Sequence, residues 1–520
     1  MTVAPVDTGG IGLPPPAVEP PEQTPEDRVE AVSAWFARAS ATWLRADVAL
    51  IALIAAYVVV FGRLTWAQQT NFGTMDYDMG VFDQEIWLAA HHLNPYITIR
   101  GLNMWANHVN PIIYLLVPFY WLGAGPHFLF LVQTLAFGIA AVPLWLLARD
   151  RFGSPWLALA VPVAWFLYPA VEWMNYDQFH PEMLGIPAFL FAYWFADRHR
   201  WGWYALCVVL VLSVKEDAAL PIIALGVVLL LRRHIRAGIV TIAGAVAWFL
   251  ICIEVIVPAA IGGSAPFFLY QYASLGDSTG QILVNFVAHP SKFLGLVFNH
   301  ARYRYYEQLF VPVAALAVLA PVTLLLVVPT LLENVTNNQG YPYDIRYQYG
   351  AFISAGIFLA VVEAIGRWRY TAIKVLLAGI LVFCALGSNI VWSPSPLDKA
   401  NYQSGIWSLQ SSPLTRAVDS MVHRVPADAV VSATYSEVPH LSHRDRLYSW
   451  PNPWIRSYFG INATTPPLRP GPVKYLVIDK TELSPDSAHL LAKLTRPGGP
   501  FRVLADRKGA LLAVRVRSGE

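Results

Sequence analysis

Residues 47–64, DVALIALIAAYVVVFGRL, are followed shortly by Met75-Asp76-Tyr77-Asp78-Met79-Gly80-Val81-Phe82-Asp83-Gln84-Glu85. The first stretch is apolar and close to the length of about 20 residues that a helix needs to cross a bilayer. The second carries four carboxylates, Asp76, Asp78, Asp83 and Glu85. Carboxylates beside hydrocarbon are costly unless they line a wet cavity, bind a cation or do chemistry. The two stretches together predict a membrane protein with a catalytic or transport site at the membrane surface.

Composition agrees. Of the 520 residues, 56% are hydrophobic and 13% charged, and mean hydropathy is +0.45. Soluble domains run near one quarter charged. A net charge of +2 gives no electrostatic case for nucleic acid. Cys207, Cys252 and Cys384 all lie in apolar runs and form no metal-binding spacing. Residues 1–26 are rich in Pro, Glu and Thr and lack an apolar signal-peptide core, so residues 1–46 read as a disordered cytoplasmic tail ending in an interfacial helix. That helix, over 27–46, would anchor through Trp35, Phe36, Trp43 and Leu44, with Arg28, Arg38 and Arg45 on the wet side.

Further apolar runs cover 127–148, 155–170, 183–197, 203–214, 218–231, 238–258, 309–333, 352–366 and 373–391. Basic clusters fall at Arg149/Arg151, Arg198/Arg200, Arg232/Arg233/Arg236 and Arg367/Arg369/Lys374. The positive-inside rule places these in the cytoplasm. Residues 65–126, 171–182, 259–308 and 334–351 then lie outside. Residues 111–122 become an interfacial or re-entrant segment, and 309–333 a hairpin broken at Pro312 and Pro321. The resulting transmembrane domain, 47–392, has about 11 spans, with the N-terminus in and the C-terminus out. Residues 393–520 return to soluble composition. Val430–Tyr435 and Tyr475–Asp479 read as strands, Val503–Asp506 and Ala510–Val516 as a hairpin, and Leu409–Val422 and Ser484–Leu494 as helices. The expectation is a small extracytoplasmic α/β domain.

Four polar clusters share the outer side under this topology: Asp76, Asp78 and Asp83 with Gln84; Asn107-His108-Val109-Asn110-Pro111; Glu172, Asn175, Tyr176 and Asp177 with Phe179-His180-Pro181-Glu182; and Lys215-Glu216-Asp217. Each has a bland reading. An Asp-x-Asp pair recurs in solvated loops, a histidine near a proline is often only hydrogen-bonded, and Lys-Glu-Asp can be a self-neutralised helix clamp. Trp105, Trp173 and Tyr176 suit an interfacial belt, although sugars also stack on such rings. Convergence on one face favours a site. Asp78, Asp76 and Asp83 are the candidate catalytic carboxylates, one acting as general base on an acceptor hydroxyl. Gln84, His108, His180, Glu182, Lys215, Glu216 and Asp217 are the substrate-binding candidates. A leaving lipid phosphate would be neutralised by Lys215, a histidine, Arg346 or a divalent metal. The residues leave the choice between metal and side-chain cation open.

Asp78-Met-Gly-Val-Phe-Asp83-Gln84, Asn107-His108-x-x-Pro111, Phe179-His180-Pro181-Glu182 and Lys215-Glu216-Asp217 resemble a family of uncharacterised bacterial and archaeal polytopic membrane proteins. The resemblance covers about residues 50–390 and extends to Pro439-His440-Leu441-Ser442-x-Arg444 in the outer domain. That family is similar, distantly, to the GT-C glycosyltransferases. The similarity implies a GT-C-like helical fold and transfer of a sugar from a polyprenyl phosphate at the extracytoplasmic face. An acidic motif in the first outer loop would carry the base. Asp78 matches that position best, with Asp76 and Asp83 nearby. His108, His180, Lys215, Glu216 and Asp217 match motifs of the uncharacterised family itself. Asp277 and Asp344 stand alone in the later loops, which speaks against a metal-dependent mechanism.

The leading expectation is thus a membrane glycosyltransferase with a lipid-linked sugar donor and an envelope glycan or protein as acceptor. A transporter or flippase, and a non-catalytic scaffold for envelope assembly, are the alternatives. Transporters often carry inverted repeats, and the sequence has no evident repeat.

Overall fold

The computed structural model describes residues 45–261, 267–458 and 472–516, with Met1, Glu30 and Ala34. Nearly all of the segment expected to form the tail and interfacial helix lies outside the described residues. The first apolar run folds as the helix Ala46–Thr70. Leu50, Tyr57, Phe61 and Leu64 face the protein, while Ile51 and Val59 are exposed. An apolar helix that leaves such side chains uncovered needs lipid rather than water as its neighbour.

Five described helices are long and apolar enough to cross a membrane: Ala46–Thr70, Pro126–Phe152, Ile235–Ile261, Gln348–Gly366 and Thr371–Trp392. A pair bent by 50°, Pro155–Phe166 and Pro169–Tyr176, makes a sixth if taken as one span. Pro126–Phe152 and Gln348–Gly366 are 67% and 83% buried over their apolar windows, against 22–28% for the other three. These two are therefore the centre of the bundle. The shorter apolar helices Glu182–Asp197, Trp201–Leu212 and Ala219–Leu231 pack with them. Twelve residues of helix reach only about 18 Å. The expected number of spans therefore exceeds the number of full-length apolar helices.

The run over 309–333 is broken, as its prolines lead one to expect. It folds as short pieces that include Val311–Val313, Leu316–Leu319 and Pro321–Leu324, with Ala314 and Ala315 in the left-handed region. Residues 111–122 form two short turns, Pro111–Leu115 and Val117–Tyr120. They leave Tyr114, Leu115, Phe119, Trp121 and Leu122 exposed.

In the loop after the first helix, the helix Val81–Ala90 leads to a two-residue hairpin, β1 (Tyr96–Ile97) and β2 (Leu102–Asn103). The C-terminal part is a five-stranded sheet. Its strands are β3 (Val431–Ala433), β4 (Leu447–Ser449), β5 (Tyr475–Asp479), β6 (Phe501–Arg507) and β7 (Ala510–Arg515), in spatial order β4-β3-β5-β7-β6. β3 runs parallel to β4 and β5, and β7 antiparallel to β5 and β6. Helices Pro413–Val422 and Pro485–Thr495 are each capped by a serine, Ser412 and Ser484, whose hydroxyl accepts a backbone N–H. Strand β4 was not expected from sequence. Three residues, all buried, show no alternation to read.

Candidate functional site

The acidic stretch does not fold as ordinary helix at its start. Residues Asp76–Gly80 form one wide turn, in which the Gly80 N–H donates to the Met75 carbonyl at 3.1 Å, an i→i+5 bond. Such π-turns are rare and often sit at functional sites. The turn directs its acids to different places. Asp78 lines a cavity of about 610 Å³, with its Oδ1 3.4 Å from His180 Nε2. Asp76 is fully buried on the other side, and Ser449 of β4 donates its hydroxyl to it. Asp83 is also fully buried. It accepts the Tyr120 hydroxyl at 2.6 Å and the Ser442 hydroxyl at 2.5 Å, with His443 Nε2 at 3.1 Å. Gln84 donates to Thr98 and to the Arg444 carbonyl, both at 3.1 Å.

His180 sits on the turn between Pro169–Tyr176 and Glu182–Asp197. One amide side chain of the central helix holds this turn. Gln133 Nε2 donates to the carbonyls of Met174 and Asn175 at 3.3 Å and of Gln178 at 2.9 Å, and Gln133 Oε1 accepts the His180 N–H at 3.0 Å. Burial disfavours the charged imidazole. The nearby carboxylates of Asp78, Glu182 and Asp177 outweigh it and hold His180 up at about 9. His180 is thus an imidazolium at neutral pH, facing the Asp78 carboxylate. Burial pushes the neighbouring Asp177 up to about 7.

Lys215-Glu216-Asp217 occupies the break between Trp201–Leu212 and Ala219–Leu231. Lys215 Nζ lies 2.8 Å from Asp217 Oδ2 and 3.3 Å from Glu182 Oε1. Glu216 accepts the Val109 N–H at 3.0 Å and lies 2.9 Å from His108 Nδ1. Glu216 therefore ties the first loop to the helix break, and Lys215 ties that break to the helix bearing Glu182. All five side chains line the same cavity as Asp78 and His180.

The structure thus brings together Asp78, His108, His180, Glu182, Lys215, Glu216 and Asp217. It sets Asp76, Asp83 and Gln84 in the seam with the C-terminal sheet. Glu172 is taken up by Asn389 and Ser393, and Asn175 by Thr134 and Tyr57. Arg346 is exposed and pairs with Asp344 at 2.7 Å. Among the described residues, no group of three His, Cys, Asp or Glu side chains could hold a metal ion. Lining residues that sequence reasoning missed are Arg100, which donates to Asn107 Oδ1 at 3.1 Å, and Tyr272, Tyr341 and Tyr349. The tyrosine-rich run 341–349 was the available signal. Phe249, Ile253, Leu275, Ile282, Phe286 and Phe293 give the wall an apolar part, and Glu333, Asn334, Asn337 and Gln348 add further polar groups.

A many-helix membrane protein with a small sheet domain, and charged groups gathered under their junction, is the class this geometry defines. Two solved structures align with it over most of their length. The apo crystal structure of ArnT from Cupriavidus metallidurans aligns at 13% identity and TM-score 0.53, over 91% of this chain and 99% of that one. The structure of the same protein bound to undecaprenyl phosphate aligns at 13% identity and TM-score 0.49, over 90% and 98%. The likeness to the apo structure spans nearly the whole of both chains, so the two share a fold. Residues 69–511 match the family described as "Predicted membrane protein (DUF2079)", and the chain belongs to that family. No curated protein matches it.

Proposed function

We propose that this chain is a GT-C-like glycosyltransferase that moves a sugar from a polyprenyl-phosphate donor to an envelope acceptor at the extracytoplasmic face. The observation that carries this reading is the two-natured cavity. Its wall carries charged side chains, Asp78, His180 and Lys215, together with apolar ones, Phe249, Ile253, Phe286 and Phe293. An amphipathic lipid phosphate fits such a space: headgroup at the charges, chain along the apolar side chains. In the reaction Asp78 removes the proton of the acceptor hydroxyl as its oxygen attacks the anomeric carbon. The bond from that carbon to the phosphate oxygen breaks, and the electron pair leaves with the phosphate. Lys215, His180 and Arg100 supply positive charge at the cavity wall for that developing anion. Tyr341 and Tyr349 offer faces for the sugar. No part of this proposed step is routed through a metal.

The topology that goes with this reading has about 11 crossings, short ones included, and the C-terminal domain outside. Domain limits of 47–392 and 393–520 belong to the same proposal. A transport path would have to pass a second charged cluster at the far end of Glu182–Asp197, about 22 Å along that helix. There Arg151 bonds Asp197 at 2.5 Å and Glu363 at 3.1 Å, and Arg232 lies 3.4 Å from Glu363. Neutralised clusters of this kind hold helices together, which favours an enzyme working at one face.

The test uses purified protein in nanodiscs, undecaprenyl phosphate bearing a radiolabelled sugar, and a membrane extract as acceptor. Label leaving the lipid in the wild type, and staying in Asp78→Asn, supports transfer. Intact sugar-lipid moved between leaflets without cleavage would overturn it.

A further inference from the structure

In open sheets with parallel strands, ligands bind in the crevice outside the carboxyl ends of the strands. The carboxyl ends of β3 and β4 in the C-terminal sheet meet another part of the chain. It is the acidic turn of the membrane part. Ser449, the last residue of β4, bonds Asp76. Val438, in the turn after β3, lies so close to Gly80 that a Cβ there would stand 2.8 Å from Val438 Cγ1. Farther along, Ser442 bonds Asp83 at 2.5 Å and the Arg444 carbonyl accepts from Gln84 at 3.1 Å. Thr98 exchanges two bonds with the backbone of Leu447, at 2.7 and 2.8 Å. Asp78 is flanked on both sides by residues gripped in this way, and it alone of the three aspartates turns to the cavity.

We propose that the C-terminal domain is a socket whose ligand edge holds the Asp76–Gln84 segment and so sets the position of Asp78, with Ser449 as the main positioning residue. Its catalytic meaning rests on the reading of Asp78 as base, but its test does not need turnover. The physical reason is the wide turn. A π-turn is less favourable than regular helix, and Asp76–Gly80 relaxing to ordinary helical spacing would rotate the Asp78 side chain about the turn axis. The Asp76–Ser449 bond and the Gly80–Val438 contact both hold the turn from outside. Asp76 Oδ1 is buried without a hydrogen-bond partner, and the side chain that holds this carboxyl is Ser449.

His180 reports the position of Asp78, because that carboxylate raises its titration. Protein labelled with 13C-histidine is titrated in nanodiscs by NMR, and the His180 signal is assigned by its loss in His180→Gln. Asp78→Asn gives the midpoint without the partner. The expected result for Ser449→Ala is a midpoint lowered from about 9 toward 6.5, by about one pH unit or more, with Ser449→Thr restoring it. Gly80→Ala should lower it likewise, and Gly80→Ala combined with Val438→Ala should recover it, which covers the case in which Ser449→Ala fails to fold. The proposal is overturned if these variants keep the wild-type midpoint while Asp78→Asn lowers it, or if Asp78→Asn itself leaves His180 unmoved. A socket confirmed by His180 in a protein that consumes no lipid-linked sugar would sink the function reading and leave this one standing.

Discussion

Replacing Lys215 by methionine tests the charge arrangement most directly. The ammonium lies 2.8 Å from Asp217 and 3.3 Å from Glu182, and the Lys215 and Glu182 side chains are each 9% exposed. At an effective dielectric constant of about 20, the two gross attractions are about 6 and 5 kcal/mol. Desolvation cancels most of that sum, and the measured cost of removing one partner from a buried pair is about 3–5 kcal/mol. Lys215→Met keeps the stem and deletes the charge, so packing changes little. The expected outcome is a loss of several degrees in the thermal midpoint of the detergent-solubilised protein, read by size-exclusion chromatography after heating. Glu182 and Asp217 can escape mutual repulsion by taking up a proton, so the loss should be larger at pH 8 than at pH 5. Lys215→Met combined with Glu182→Gln should recover part of it. A midpoint unchanged at pH 8 would refute the reasoning, since it would mean that the ammonium does not hold these carboxylates together.

The remaining expectations are more local. Asp78→Asn should cost about 10²–10⁴-fold in sugar transfer, with normal protein level in the membrane; turnover near wild type would remove Asp78 as the base. Docking of the C-terminal sheet should weaken as pH rises. Burial holds Asp76 at about 7 against an ordinary 3.8, so its contribution is fully present below 3.8 and lost as pH climbs through 7. Burial pushes His443 down but Asp83 outweighs it and raises it, so His443, like Asp76, favours docking at the lower pH, whereas His440, stacked on Phe72 and pushed down to about 3 by burial, favours docking above 6.5 and loses that contribution as pH falls toward 3. Amide exchange over residues 434–449, corrected for intrinsic rates, should therefore be slower at pH 6 than at pH 8.5, and equal protection at both would count against the seam being held by Asp76 and His443. An alkaline phosphatase fused to the C-terminus should be active, and cytoplasmic activity of a reporter there would invert the proposed topology.

The readable part of this protein was the part whose context was local. Lys215-Glu216-Asp217 stands out because ionisable groups interrupt apolar sequence, and His180 because it ends a polar loop between two apolar runs. Asp76, Asp78 and Asp83 looked alike in sequence. Their difference is made by Ser449 and Ser442, more than 350 residues away, and no local pattern reports on that. Gln133 is a lone amide in an apolar run, legible as unusual but not as the holder of the turn bearing His180. Arg100 and the tyrosines enter the cavity because separate loops meet there. The spans were read as runs of hydropathy, and the structure broke several of them at prolines and at the Lys215 turn, where helices end short of a membrane's thickness.

Asp76 and Ser449 are 373 positions apart. At a synthesis rate of about 5–20 residues per second, the acidic turn emerges roughly 20–75 s before its clasp exists. Throughout that interval the membrane part can insert and pack, with Tyr120 and His180 at hand for Asp83 and Asp78 but no partner yet made for Asp76. A chain truncated before β4 would leave a folded bundle with an unset turn. The order of manufacture thus delays completion of the site until nearly the whole polypeptide has been made.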